Sequence, residues 1–259
     1  SLRKSVIGGG SNAFEEAFRI KAEEFDQQYE KYLKDRFKPF RDKERPADYG
    51  RDLAPDPHKT KDTSVLSIEP SPSGDLMAAV AGNRKDQELD IILISMKDGQ
   101  VIRNLTPGFD KDRGFEYIGT AGGLRGNLVP WIAWAPASAP GESKFHSDRI
   151  AYFARTEKEK TLVIHNVVTG KIEQKVDLSM VNGPESPAFS ADGKKLAFAA
   201  LQEAVPDLFE VDLATGAVEN LTKDAFAEYA PTYSPDGKSI VYTMRISGND
   251  KLFHMDLAT

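Results

Sequence analysis

From residue 64 onward the chain runs in short alternating or near-continuous apolar segments, each closed by a glycine-bearing polar turn. "IILISM" (91–96), "LFEVDL" (208–213) and "SIVYTM" (239–244) have the length and β-branched or aromatic content of strands. "KLAFAAL" (195–201) is apolar almost throughout, which predicts a strand covered on both faces. Residues 12–37 follow another period. Phe14, Phe18, Phe25, Tyr29, Leu33 and Phe37 recur at steps of four or seven and predict an amphipathic helix. Asn12 and Glu15 suit a capping box, Lys34, Arg36 and Lys38 suit the helix C-terminus, and Pro39 predicts its stop. Four prolines (Pro39, Pro46, Pro55, Pro57) among charges then predict an extended linker over 39–63.

The apolar segments repeat. "YSPDGKSIVYT" (233–243) has a near twin in "FSADGKKLAFA" (189–199) and a looser copy in "PSPSGDLMAAVA" (70–81). Asp-Gly between hydrophobic runs is a hairpin signal, because glycine accepts the positive φ of a tight turn. The Gly-Lys-Ser at 237–239 is therefore a turn. A phosphate loop needs a glycine where Thr232 stands, and the twin has Lys195 in place of Ser239. "LFEVDLATGAVENLT" (208–222), "LFHMDLAT" (252–259), "LVIHNVVTGKIEQKV" (162–176) and "IILISMKDGQVIRNLT" (91–106) repeat a second hairpin. Together these give four units, near 64–106, 116–178, 183–222 and 228–259, each a four-stranded antiparallel meander. Ser190 and Ser234 stand 44 residues apart, within the spacing of propeller blades.

The expected fold is mainly β: a β-propeller of four-stranded antiparallel blades over 64–259, preceded by a helical segment (1–38) and a strap (39–63). A two-sheet sandwich would not explain the same turn recurring in register. Unit four reaches Thr259 before the turn glycine of unit three, so the four visible units are expected to belong to a larger propeller. The other reading has 63–68 closing a four-blade ring.

Unit two carries two insertions, "IGTAGGLRGN" (118–127) and "ASAPGESKFHSD" (137–148). Insertions in repeats are loops that collect on the binding face. The loops leading into the innermost strands form the mouth of the channel and supply Arg113, Glu116, Tyr117, Arg125, Glu185, Glu228 and Tyr229. A mixed-charge rim with tyrosines suits a protein or peptide partner. The plainer account of the same residues is solvated loop and repeat structure. Glu185 and Glu228 are also the candidates for an acid–base pair, without a visible paired set.

Composition narrows the chemistry. Lys and Arg total 34 against 40 Asp and Glu, a net charge of −6, which disfavours a nucleic-acid surface. No apolar run is long enough to span a bilayer, and with no cysteine there is no disulfide or thiol chemistry. The four histidines (His58, His146, His165, His254) lack metal spacing, so no cofactor is expected. "DKDRG" (110–114) is the sole hint of calcium, without the downstream Glu such a loop requires. Both copies of "NLT" (104–106, 220–222) read as strand ends of the repeat rather than glycosylation sites.

The "[FY]-S-[AP]-D-G-K" turn, the "D-L-A-T-G" turn and the "N-L-T" ends resemble the TolB-like β-propeller family over about 64–259. That resemblance implies a bacterial, periplasmic or otherwise exported protein-binding scaffold without catalysis of its own. It also admits the propeller of a larger peptidase, either prolyl-oligopeptidase-type with a downstream hydrolase or metal-dependent with an upstream domain. "GGSNAFEEAF" and "EEFDQQYEKYLKDRF" are similar to the last helix of a gluzincin-type (peptidase MA-like) domain, although H-E-x-x-H is absent from this sequence.

Overall fold

The computed structural model describes residues 18–41, 63–83, 88–106, 116–117, 132–137, 148–155 and 160–257, with single positions at 15, 43, 49, 50 and 53. The chain divides into two compact units, Ser1–Asp52 and Leu53–Thr259. The strap expected over 39–63 falls largely outside the described residues.

In the first unit, helix α1 spans Ala22–Arg41, with Glu23 and Glu24 in its first turn and Lys38 and Arg41 in its last, matching the helix dipole. Upstream, Glu15 and Phe18 are also helical and Arg19 N donates to Glu15 O at 2.8 Å, so the predicted helix is present but broken before Ala22. Arg19 adopts a left-handed φ of 56° and interrupts the run, and Asn12 lies outside the described residues. Nor does Pro39 stop the helix. It sits inside the last turn, where little of the ladder remains to be broken. Phe25 and Tyr29 stack with ring centroids 5.9 Å apart, and Lys34 pairs with Glu30 one turn back at 2.6 Å. No residue of α1 is buried.

The second unit is built from four antiparallel sheets. Blade 1 is β1 (Thr63–Pro70), β2 (Leu76–Asn83), β3 (Glu88–Ser95) and β4 (Val101–Asn104). Blade 2 is β5 (Glu116–Tyr117), β6 (Ile132–Trp134), β7 (Arg149–Arg155), β8 (Lys160–Asn166) and β9 (Lys171–Asp177). Blade 3 is β10 (Asn182–Phe189), β11 (Lys195–Leu201), β12 (Pro206–Asp212) and β13 (Val218–Asn220). Blade 4 is β14 (Ala227–Tyr233), β15 (Ser239–Ile246) and β16 (Asn249–Asp256). Residues 63–68 are thus the inner strand of blade 1, paired with β2, and not a clasp for blade 4. The inner strands neighbour one another in chain order: β1 touches β6, β6 touches β10, and β10 touches β14. That order is the angular arrangement of a propeller.

The recurring turn has a physical cause. In blade 3 the Ser190 carbonyl accepts from Gly193 N at 2.9 Å, and its hydroxyl accepts from Lys195 N at 2.9 Å. Ser234 repeats both bonds with Gly237 and Ser239 in blade 4. Gly193 and Gly237 have φ of 68° and 69°, where a side chain would be strained. The serine that leads the motif is therefore as necessary as the glycine. Gly-Lys-Ser is the far side of this turn.

The N-L-T ends are polar clamps. In blade 3 the Asn220 amide donates to Asp207 Oδ2 at 2.7 Å, Thr222 N donates to Asn220 Oδ1 at 3.1 Å, and Leu208 N donates to Thr222 Oγ1 at 3.0 Å. Asp90, Asn104 and Thr106 make the same three bonds in blade 1 at 3.0, 2.9 and 2.8 Å.

Apolar faces join the blades. Ala78, Val80, Ile91 and Leu93 pack on Ile150, Tyr152 and Val163 between blades 1 and 2. Ala151, Phe153 and Leu162 meet Leu196, Phe198 and Phe209 between blades 2 and 3. Ala197, Ala199 and Leu208 meet Ile240, Tyr242 and Met244 between blades 3 and 4. Phe198 is fully buried between Phe153 and Phe209, with centroids at 5.6 and 5.5 Å. Phe198→Ala is expected to lower stability by about 3–5 kcal/mol, measured by urea denaturation. A loss under about 1 kcal/mol would contradict a close-packed junction between blades 2 and 3.

Candidate functional site

Inner strands β10 and β14 share an irregularity. Pairing runs Glu185↔Ala199 and then Ala188↔Ala197 in blade 3, and Tyr229↔Thr243 and then Thr232↔Val241 in blade 4. Each inner strand carries one more residue than its partner over this stretch, which is a β-bulge. Within the bulges Ser186 and Ala230 adopt φ of 53° and 51°, each directly before a proline (Pro187, Pro231). A left-handed non-glycine residue costs about 1–2 kcal/mol, and the residue before proline is restricted further. Blade 2 departs at the same point. Tyr117 pairs with Ala154 and Ile132 with Tyr152, so in sequence residues 118–131 stand where blades 3 and 4 have the bulge.

Just ahead of the bulges lie Glu185 and Tyr229, both half-buried. Burial raises the Glu185 carboxyl above its ordinary range. It does the same, as the largest cause, to the Tyr229 hydroxyl, on which the charges of Arg245, Glu185, Asp250 and Glu228 also act. Arg245 grips Asp250 through two bonds, Nε to Oδ1 at 2.8 Å and Nη2 to Oδ2 at 3.3 Å. The arrangement offers a carboxyl, a phenol and an oriented guanidinium within one electrostatic neighbourhood.

Glu228 behaves differently. It is fully buried and accepts from Thr222 Oγ1 at 3.2 Å through Oε2. Its carboxyl is pushed up to about 7, first by burial and then by the neighbouring charge of Asp224, with a further push from Asp207. Glu228 Oε1 and Asp207 Oδ1 are both buried without a hydrogen-bond partner. Glu228 is thereby tied to the N-L-T clamp of blade 3, and it faces the junction with that blade rather than solvent.

Of the other residues expected at the mouth, Glu116 and Tyr117 form β5, pairing with Arg155 and Ala154. Arg113, Arg125 and the 110–114 run lie outside the described residues. Among the described residues no group of three or more His, Asp or Glu side chains is arranged to hold a metal ion. His165 is buried, with Nδ1 3.0 Å from the Tyr152 hydroxyl. His254 is exposed, 3.8 Å from Asp256; His58 and His146 fall outside the described residues. Arg245, Asp250, Asp207 and Asp224 were not singled out by sequence. Asp207 could have been, since Asp90 stands 14 residues before one N-L-T and Asp207 13 before the other.

Residues 135–259 match the TolB beta propeller domain family. That stretch is just under half of the chain, and the likeness agrees with the propeller arrangement of the blades. No curated protein matches the chain. Among solved structures, one described as TolB from Agrobacterium tumefaciens is 16% identical with a TM-score of 0.53, covering 76% of this chain and 61% of that one. A TolB from Acinetobacter baumannii is 19% identical with a TM-score of 0.48, covering 76% of this chain and 39% of that one. An oligogalacturonate lyase in complex with manganese is 13% identical with a TM-score of 0.53, over 75% of this chain and 49% of its own. At such identities the likeness is one of fold. The chain spans less than two thirds of each of these structures. Among the described residues no helix is long and apolar enough to cross a membrane.

Glu228 generates a pH dependence. When the propeller unit is folded the carboxyl keeps its proton up to about 7, whereas unfolded it ionises near 4.5. The stabilisation it contributes is full below about 4.5 and is lost as pH rises to about 7, at most roughly 3 kcal/mol. Urea denaturation of wild type and Glu228→Gln across pH 4.5–8 should show this component of the slope in wild type alone. Equal slopes in both proteins would remove Glu228 as its source.

Proposed function

We propose that the TolB-type propeller is a non-enzymatic scaffold in an exported bacterial protein, binding a protein or peptide segment at the lead-in ends of its inner strands. One observation carries this reading. Two adjacent inner strands carry strained left-handed residues, Ser186 and Ala230, directly after Glu185 and Tyr229, and the Glu185 charge acts on the Tyr229 hydroxyl. A rim set in advance loses little ordering entropy on binding, and tyrosine and arginine are favoured interface anchors. Glu185 accepts from donors of the partner, Tyr229 offers both an aromatic face and a hydroxyl, and Arg245 remains oriented by Asp250. Placement in the periplasm or outside the cell is part of the same reading and follows the resemblance to TolB.

A photo-crosslinking residue at Tyr229 in the expressed chain would identify the partner, and affinity would then be measured with that partner purified. Tyr229→Ala and Glu185→Lys should each weaken binding by at least about fivefold, roughly 1 kcal/mol or more. Binding within twofold of wild type in the double variant would overturn the placement of the interface at this rim.

A further inference from the structure

At the opposite, turn end of β10 lies a cavity of about 690 Å³ between blades 2 and 3. Its size is that of small-ligand pockets. Ile164, Phe189 and Leu213 contribute its apolar lining, and Arg149, Glu173 and Lys194 its charged positions.

The charges are unequal in what they have left to offer. Glu173 is fully engaged: Oε1 accepts from the Asn166 amide at 2.8 Å, and Oε2 lies 2.7 Å from Arg149 Nε. Asn166 is itself fixed, because its Oδ1 accepts from Val168 N and Thr169 N at 3.0 and 2.9 Å. Glu173 thus holds the Arg149 guanidinium by an ion pair at Nε, a buried nitrogen that makes no hydrogen bond of its own. Its two terminal nitrogens have no partner among the described residues. Asp192, also on the lining, is taken up by the turn, accepting from the Ser190 hydroxyl at 2.7 Å and from Lys194 N at 3.1 Å. Lys194 is held only loosely, 3.9 Å from Asp192 Oδ2. Both acids are therefore satisfied, and the groups with donors to spare are the two cations. A planar guanidinium with a free edge matches a carboxylate in two parallel bonds.

We propose that this cavity binds a carboxylate carried on an apolar body, such as the C-terminal residue of a peptide. The carboxylate takes the free edge of Arg149, and the apolar body rests on Ile164, Phe189 and Leu213. Two features distinguish this junction from the others. The turn glycine of blade 3, Gly193, packs near Pro136, so that a Cβ there would lie 3.5 Å from the proline ring. In blade 2 the sequence replaces the compact turn by residues 137–148. Nothing in the rim reading is needed for this site.

Calorimetry with the full chain tests it using N-acetyl-leucine, its neutral amide and the tripeptide Gly-Gly-Leu. Saturable binding of the acids is expected, with the amide weaker by about tenfold or more. Arg149→Gln should cause a similar loss. Leu213→Trp should block the cavity while Arg149 is intact, which covers the case in which Arg149→Gln fails to fold. Tighter binding of the tripeptide would assign the site to peptide C-termini, and equal binding to small free acids. Equal affinity for acid and amide, unchanged binding in both variants, or no saturable binding by any of the three would overturn the proposal.

Discussion

A small β-sheet with apolar side chains on both faces cannot be stable alone, and the second unit is arranged around that constraint. In β11 the even positions Leu196, Phe198 and Ala200 turn toward blade 2, and the odd positions Ala197 and Ala199 toward blade 4. Strand periodicity makes this division automatic. Each sheet is thus completed only by its neighbours, which forces the inner strands into sequence-order contact from β1 through β6 and β10 to β14. Blade 4 shows the consequence in reverse. Its Ile240, Tyr242 and Met244 are covered by blade 3, whereas Val241 and Leu252 on the other face are exposed.

Stacking apolar faces does not fix register, since flat apolar surfaces can slide. The polar clamps do. An aspartate near the start of the third strand, held by the asparagine that ends the fourth, sets the stagger of blades 1 and 3 identically. Blade 3 adds a second bridge, with Tyr233 of β14 donating to Glu210 Oε2 at 2.6 Å while Lys195 donates to the other oxygen at 2.6 Å. Burial and the Glu210 charge raise the Tyr233 hydroxyl far above its usual range, so it stays a donor. Buried polar groups satisfied in this way specify one arrangement among many apolar ones. Exceptions include Asp207 Oδ1 and Glu228 Oε1 at the junction of blades 3 and 4 and Arg149 Nε in blade 2, all buried without a hydrogen bond.

Much of this was legible in the sequence because it repeats. The glycine turns, the strand order and the N-L-T ends follow from comparing the chain with itself, and the propeller arrangement agrees. The helix was read less well. Its apolar period continues through Arg19, but period carries no information about a left-handed backbone, and Pro39 is tolerated where the ladder is nearly over. The rim was half legible. "EY" at 228–229 looks like one motif, yet neighbouring strand residues point to opposite faces, so Glu228 is buried in the junction while Tyr229 is half-exposed. Arg245 and Asp250 were missed because they reach Tyr229 from β15 and β16, and only pairing reveals that.

Departures from a repeat are the places where packing alone no longer explains the sequence. Blade 2 departs twice. It replaces the bulge of its inner strand with 118–131 and its compact turn with 137–148, one at each end of β6. The same blade supplies Asn166, Glu173 and Arg149, a chain of bonds that adds little to a sheet already buried on both faces. An ion pair half open to water contributes about 0–1 kcal/mol. Stability therefore gives no strong reason to orient that guanidinium, whereas recognition of a planar anion does. The rim strain at Ser186 and Ala230 follows the same logic, since a relaxed strand would pair as well without it. At Ser186 and Ala230 the backbone is strained, and at Arg149 the ion pair stabilises little, so packing alone accounts for neither.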